Sequence, residues 1–124
     1  MTRYFYDSYA VLAYLSDDLN YRNYFEENTG VLTKVNLMEI CYKILTVHGV
    51  RAAKRVLDAF SKYQIDFNLS DIIGSMKLRS TLKGRGLDVS YADALGYYLA
   101  SKMRIKFLTG DKVFRGLANV EFQT

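Results

Sequence analysis

Short apolar runs of strand length alternate along this 124-residue chain with longer segments of helical periodicity, and that alternation most restricts the fold. Strands are expected at 3–6, 31–33, 64–67, 105–108 and 120–122. Helices are expected at 8–15, 18–27, 36–48, 50–62, 70–83 and 91–103, with a short helix before the last strand. Ala92, Leu95, Gly96, Leu99 and Met103 recur at helical spacing, as do Ala53, Val56, Leu57 and Phe60, so each segment has one face to bury. Gly49 follows His48 where a C-cap glycine belongs, and Gly84 and Gly86 punctuate the end of a later helix. Strands separated by helices need crossover connections, which pair them in parallel. The fold class is therefore α/β.

Four carboxylates stand near the junctions of that pattern. Asp7 closes Arg3-Tyr4-Phe5-Tyr6, and Glu39 follows Val31-Leu32-Thr33 by about a helical turn. Asp93 opens the apolar segment from Ala92 to Met103, and Asp111 follows Ile105-Lys106-Phe107-Leu108-Thr109-Gly110. In an open parallel sheet, ligands bind at the carboxyl ends of the strands, where loops and helix starts converge. Parallel pairing of these runs brings all four acids to one sheet edge.

Each acid taken singly also has a structural use. Asn36-Leu37-Met38-Glu39 and Ser90-Tyr91-Ala92-Asp93 fit a capping-box pattern, and Asp7 and Asp111 fit N-caps. Capping asks only that each acid serve its own helix, whereas the topology gathers all four. Two carboxylates about 5 Å apart repel by about 3 kcal/mol at an effective dielectric near 20, so four together call for a cation or for protons. An all-oxygen donor set favours Mg²⁺ or Mn²⁺ over zinc. Cys41 lies two residues past Glu39, about 200° around a helix from it, and His48 falls near a helix C-terminus. Chemistry at the cluster thus has no histidine base and points to water activated by a metal ion, as in phosphodiester hydrolysis.

Seventeen Lys and Arg against 13 Asp and Glu give a net charge of +4. Since four of the acids sit in the cluster, the remaining surface is more basic than that figure, and an acidic cleft in a basic surround suits a polyanion held through a divalent cation. Half the residues are apolar, which argues against disorder. The length and the absence of proline-rich or low-complexity linkers lead us to expect one domain over residues 1–124. The single cysteine excludes an internal disulfide and suits a reducing cytoplasm, and no apolar run reaches the length of a membrane span.

Tyr4-Phe5-Tyr6-Asp7-Ser8, Glu39 in its helix, Ser90-Tyr91-Ala92-Asp93-Ala94 and Leu108-Thr109-Gly110-Asp111 together resemble the signature of PIN-domain ribonucleases, in particular VapC-type toxins. The resemblance covers nearly the whole chain. It implies a three-layer α/β/α fold with a five-stranded parallel sheet of order 3-2-1-4-5. It also implies a Mg²⁺- or Mn²⁺-dependent endoribonuclease, a homodimer, and neutralisation by a small antitoxin as one half of a type II toxin–antitoxin system. The family's acidic quartet falls on Asp7, Glu39, Asp93 and Asp111. Thr109, two residues before Asp111, and Ser8, after Asp7, are candidate supporting hydroxyls, with ordinary helix-start hydrogen bonding as the competing role.

Lys77, Arg79, Lys83 and Arg85 lead toward the Asp93 segment and are candidates for guiding an RNA backbone, a solvated helix face being the competing use. Asp88 reads as a turn residue. Eleven tyrosines, Tyr9 and Tyr14 among them, fit a dimer or antitoxin surface as well as base stacking. A phosphate-receiving signalling domain would need a paired acid after the first strand, and Asp7 has none. An inactive PIN-like RNA-binding or regulatory module would betray itself by losing acids of the quartet, and all four are present.

Overall fold

The computed structural model describes residues 1–124. Strands β1 (Arg3–Tyr6), β2 (Thr29–Val31), β3 (Lys106–Thr109) and β4 (Val120–Phe122) form a parallel sheet of order β2-β1-β3-β4. Helices α1 (Ser8–Leu15), α2 (Leu19–Glu26), α3 (Lys34–His48), α4 (Val50–Phe60), α5 (Leu69–Gly84) and α6 (Tyr91–Met103) make the connections, with 3-10 turns at Ser61–Tyr63 and Lys112–Phe114.

The two faces of the sheet are set by the pleat. Phe5 and Phe107 point one way, into a core shared with Ala94, Leu95, Leu99 and Ala100 of α6 and Leu82 of α5. Tyr6 and Leu108 point the other way, onto Ala10 and Val11 of α1, Phe25 of α2 and Ile40 of α3. All four strand residues are fully buried, and burial of side chains of this size stabilises by about 1.5–3 kcal/mol each. Helices thus cover both faces of the central strands, as a parallel sheet requires. Gly96 lets α6 approach closely, because a Cβ there would lie 2.6 Å from the Phe5 ring and 2.9 Å from the Phe107 ring.

The expected five-stranded sheet is corrected to four strands, which leaves the expected order 3-2-1-4-5 incomplete at its first position. The segment expected as a strand at 64–67 contributes a single bridge, Leu32 to Gln64, flanked by Leu32 N–H to the Tyr63 carbonyl at 3.0 Å and Ile65 N–H to the Leu32 carbonyl at 2.8 Å. Both sides run out of chain. Thr33 leaves the sheet to cap α3, and Asn68 caps α5, so no second pair can form.

The start of α3 also departs from expectation. Asn36 is the third residue of the helix, not its cap; Thr33 caps it in a reciprocal box with Asn36. Glu39 therefore stands in the second turn and caps nothing. The other boundaries fall within a few residues of those expected, and Gly49, at φ 89°, closes α3 as anticipated. No helix is long and apolar enough to cross a membrane.

Candidate active site

The sheet's carboxyl edge is organised by β1 and β3. Tyr6 pairs with Leu108, and the Asp7 N–H continues the ladder to the Leu108 carbonyl at 3.1 Å. The next residues, Asp7 and Thr109, consequently stand side by side where both strands end. Asp7 Oδ1 caps α1 by accepting the Ser8 amide at 2.8 Å, while Oδ2 accepts the Thr109 hydroxyl at 2.7 Å. Thr109 Oγ1 in turn accepts the Asp111 amide at 3.1 Å, and Asp111 Oδ1 takes the Val113 amide at 3.1 Å. A single hydroxyl thus ties two of the acids to one backbone corner.

Glu39 reaches the same edge from the second turn of α3. Its Oε1 accepts the Ser8 hydroxyl at 2.6 Å, and Ser8 Oγ accepts Asn36 Nδ2 at 3.0 Å. The direction of this chain is dictated at its far end. The Thr33 N–H, which can only donate, meets Asn36 Oδ1 at 2.9 Å, so the amide's Nδ2 faces Ser8 and the one Ser8 proton is left for Glu39. Asn36 is buried, and nothing in the sequence pattern marked it as a partner of Glu39. Asp93 arrives from the first turn of α6, where it forms the expected capping box: its amide donates to Ser90 Oγ at 3.0 Å and its Oδ2 accepts the Ser90 amide at 3.4 Å.

Asp7, Glu39, Asp93 and Asp111 together line one open cavity of about 400 Å³, with Ser8, Tyr9, Leu12, Tyr42, Lys43 and Ser90 completing its walls. The four acids gather as the topology predicts, and three of them do so while also serving as caps. No ion pair neutralises any of the four; the protein's ion pairs are Arg22–Glu26, Arg79–Asp88 and Lys102–Asp71. Burial pushes the Asp7 carboxyl well above the ordinary carboxylate range, and the nearby Asp93 and Glu39 charges push the same way against the Thr109 and Ser8 hydrogen bonds. Burial likewise raises Glu39, opposed by the Ser8 hydroxyl. It raises Asp93 too, opposed by Ser90 and reinforced by Asp111. In each case the ionised carboxylate is disfavoured, chiefly by burial.

That is the donor chemistry of a hard divalent ion, with only oxygen ligands present. No three of the protein's His, Cys, Asp and Glu side chains lie close enough to hold one ion between them. Mg²⁺ is commonly bound by one or two carboxylates with water completing its octahedron, so the acids of this cavity suit it in donor type without forming a closed cage. Cys41 lines a separate apolar groove of about 620 Å³ between α3 and α4, away from the acids. His48 is exposed at the far end of α3. Neither can join the set.

The basic residues singled out in the sequence are arranged differently. None of Lys77, Arg79, Lys83 and Arg85 lines the cavity. Arg79 is held locally, donating to the Val89 carbonyl at 2.9 Å and lying over the Tyr91 ring at 4.8 Å, where it braces the loop that carries Ser90. Asp88 is the outer partner of that arginine, at 4.0 Å. The cation that does line the cavity is Lys43, with Tyr42 beside it. These two were legible in principle as the residues three and four places after Glu39, on the same helical face.

No family model matches the sequence, and no curated protein matches it. Solved structures do. The fold superposes on a chain of a toxin–antitoxin complex from Klebsiella pneumoniae with a TM-score of 0.75 and 20% identity, over 98% of this chain and 96% of that one. A chain of VapBC2 from Rickettsia felis, bound to a DNA fragment from its promoter, gives 0.75 and 21%, covering 98% of each. A chain of DNA-bound VapBC from Salmonella typhimurium gives 0.76 and 16%, over 99% of this chain and 98% of that one. Identities this low establish a shared fold, end to end.

Proposed function

We propose that this chain is a metal-dependent endoribonuclease, the toxin of a type II toxin–antitoxin pair, that hydrolyses RNA phosphodiester bonds in the carboxylate cavity. The observation that carries the reading is the convergence of Asp7, Glu39, Asp93 and Asp111, unpaired by any cation, on one cavity at the carboxyl edge of the sheet. The fold in which they converge is shared with chains of toxin–antitoxin complexes.

In this reading Asp7, Glu39, Asp93 and Asp111 would share the ligation of Mg²⁺ or Mn²⁺, no more than two to an ion, and the bound metal would supply phosphate-charge neutralisation and activation of water at neutral pH. The chain's own residues set the geometry. Thr109 keeps Asp7 and Asp111 in fixed relation, Ser8 and Asn36 aim Glu39, and Ser90 fixes Asp93 through the capping box. Such preorganisation matters because donors already in place cost no rearrangement during reaction. The supporting roles of Thr109 and Ser8 are therefore to orient ligands.

The partners in this reading are an RNA substrate, a small antitoxin protein and a second copy of this chain. Tyr14, a candidate for the dimer contact, is stacked on Phe25 at 4.4 Å and donates to Glu26 at 3.0 Å. Apolar side chains that are exposed include Tyr9, the other candidate for that contact, together with Leu19 of α2, Met38, Leu45 and Val47 of α3, Val50 of α4, and Leu69, Ile72 and Ile73 of α5. They are the surface available to protein partners.

The reading is tested by incubating the purified chain with single-stranded RNA under Mg²⁺, Mn²⁺ or EDTA. Internal cleavage with either ion and none in EDTA is the expected result. Cleavage that persists in EDTA contradicts it.

A further inference from the structure

The cavity has a second kind of wall. Glu39, Tyr42 and Lys43 occupy one face of α3, so the carboxylate, a phenol ring and an ammonium open onto the same space. Most of the eleven tyrosines are committed within the protein. Tyr6, Tyr21 and Tyr97 donate to backbone carbonyls, Tyr24 donates to Glu121, and Tyr14 stacks on Phe25. Three are substantially exposed: Tyr9 at 43%, Tyr42 at 66% and Tyr91 at 67%.

Of these three, Tyr91 lies under the Arg79 guanidinium and Tyr9 leans on Tyr21 with ring centres 6.3 Å apart. Tyr42 has neither ring partner, cation nor hydrogen bond, and it lines the cavity while 66% exposed. Lys43 beside it is exposed and makes no ion pair, although it borders four acids. A free aromatic face next to a free ammonium is the pairing that single-stranded nucleic acid uses, the base stacking on the ring and the backbone meeting the charge.

We infer that Tyr42 and Lys43 form a nucleotide subsite that stacks one unpaired base and contacts its phosphate beside the carboxylates, so that the substrate must be single-stranded at that position. A base inside a duplex is stacked between its neighbours and has no free face to offer. The inference rests on the ribonuclease reading only for taking RNA as the ligand. Tyr42 also borders the apolar groove containing Met38, Cys41 and Leu45, so a protein segment is the competing occupant. The unpaired Lys43 at the acid cavity favours the polyanion.

The test is binding in EDTA, with chemistry switched off, of a fluorescein-labelled RNA of about ten nucleotides, single-stranded or annealed to its complement, read by anisotropy. Tyr42→Ala should weaken single-strand binding by roughly 5- to 100-fold, while Tyr42→Phe, which keeps the stacking face, should bind like the wild type. Lys43→Gln should reduce the slope of log affinity against log salt by about 0.7, the value of one single-strand phosphate. Because Tyr42 is exposed, its variants should melt with the parent protein, which circular dichroism verifies.

Wild-type affinity equal for single strand and duplex, or Tyr42→Ala binding unchanged, overturns the subsite and returns the ring to the apolar groove and a protein partner. The outcome is separable from that of the ribonuclease reading. Tyr42-dependent binding by a protein that cuts no RNA with any divalent ion would keep the subsite and remove the enzyme, and metal-dependent cutting indifferent to Tyr42 would do the reverse.

Discussion

Thr109 Oγ1 donates to Asp7 Oδ2 across 2.7 Å, joining the ends of two neighbouring parallel strands at the point where the carboxylates converge. Both groups are buried, so water cannot replace the bond when it is lost. Thr109→Val, nearly isosteric, should destabilise the protein by about 1–3 kcal/mol in urea melts and reduce RNA cleavage sharply. Thr109→Ser should restore both. A valine variant with parental stability and activity would show the hydroxyl to be dispensable.

The raised carboxyls make a prediction about pH. Asp7, Glu39 and Asp93 hold protons more tightly in the folded chain than in the unfolded one, chiefly through burial. Their protonated forms carry no penalty below the unfolded value of about 4, and the folded state loses stability as pH rises and they ionise. Asp71 works in the opposite sense, its pKa lowered by the Lys102 hydrogen bond, so its contribution is lost only at acid pH. In EDTA, melting temperature should therefore fall from mildly acidic to neutral pH. Mg²⁺ should raise it more at neutral pH than at acid pH, because ion and proton compete for the same oxygens. A metal effect independent of pH would contradict this.

Asp93 serves two masters, and its variants should separate them. Ser90→Ala removes the N-cap of α6 and should cost about 0.5–2 kcal/mol while leaving measurable cleavage. Asp93→Asn keeps a side-chain oxygen for the Ser90 amide and removes a charge from the cavity, so stability without metal should hold or rise while cleavage disappears. If Asp93 were only a cap, its asparagine variant would cut RNA normally.

Gly96 sets two known effects against each other. Replacing a glycine by alanine inside a helix ordinarily stabilises by about 1 kcal/mol. Here the new methyl would meet the Phe5 and Phe107 rings at 2.6 and 2.9 Å, and overpacking of that kind costs about 1–3 kcal/mol. Gly96→Ala should thus be net destabilising, and by lifting α6 off the sheet it should displace Asp93 and lower activity. A more stable, fully active variant would show that α6 has room to move.

Much of this arrangement is legible in the residues. The alternation of periods locates β1, β3 and the long helices, because each buries a continuous face that the pattern must encode. The acids near the junctions follow from the topology once the strands are parallel. What escapes is decided by tertiary competition. The 64–67 segment has strand-like alternation, but its neighbour leaves the sheet at Thr33 to cap α3 and its own chain turns at Asn68 to cap α5. The α3 start moves to Thr33 because Asn36 reciprocates its cap and also serves Ser8. Tyr42 and Lys43 acquire meaning only when Glu39 is known to face the cavity, which its position in the second turn determines.

Metal binding and chemistry can be followed in one protein: Mn²⁺ binding by electron paramagnetic resonance alongside RNA cleavage, for the wild type and for Asp7→Asn, Glu39→Gln, Asp93→Asn and Asp111→Asn. The wild type should bind Mn²⁺ and cut RNA, and each substitution should weaken both together while the fold persists. Cleavage undiminished in any variant that has lost Mn²⁺ binding, or wild-type protein that cuts RNA without binding the ion, would contradict it.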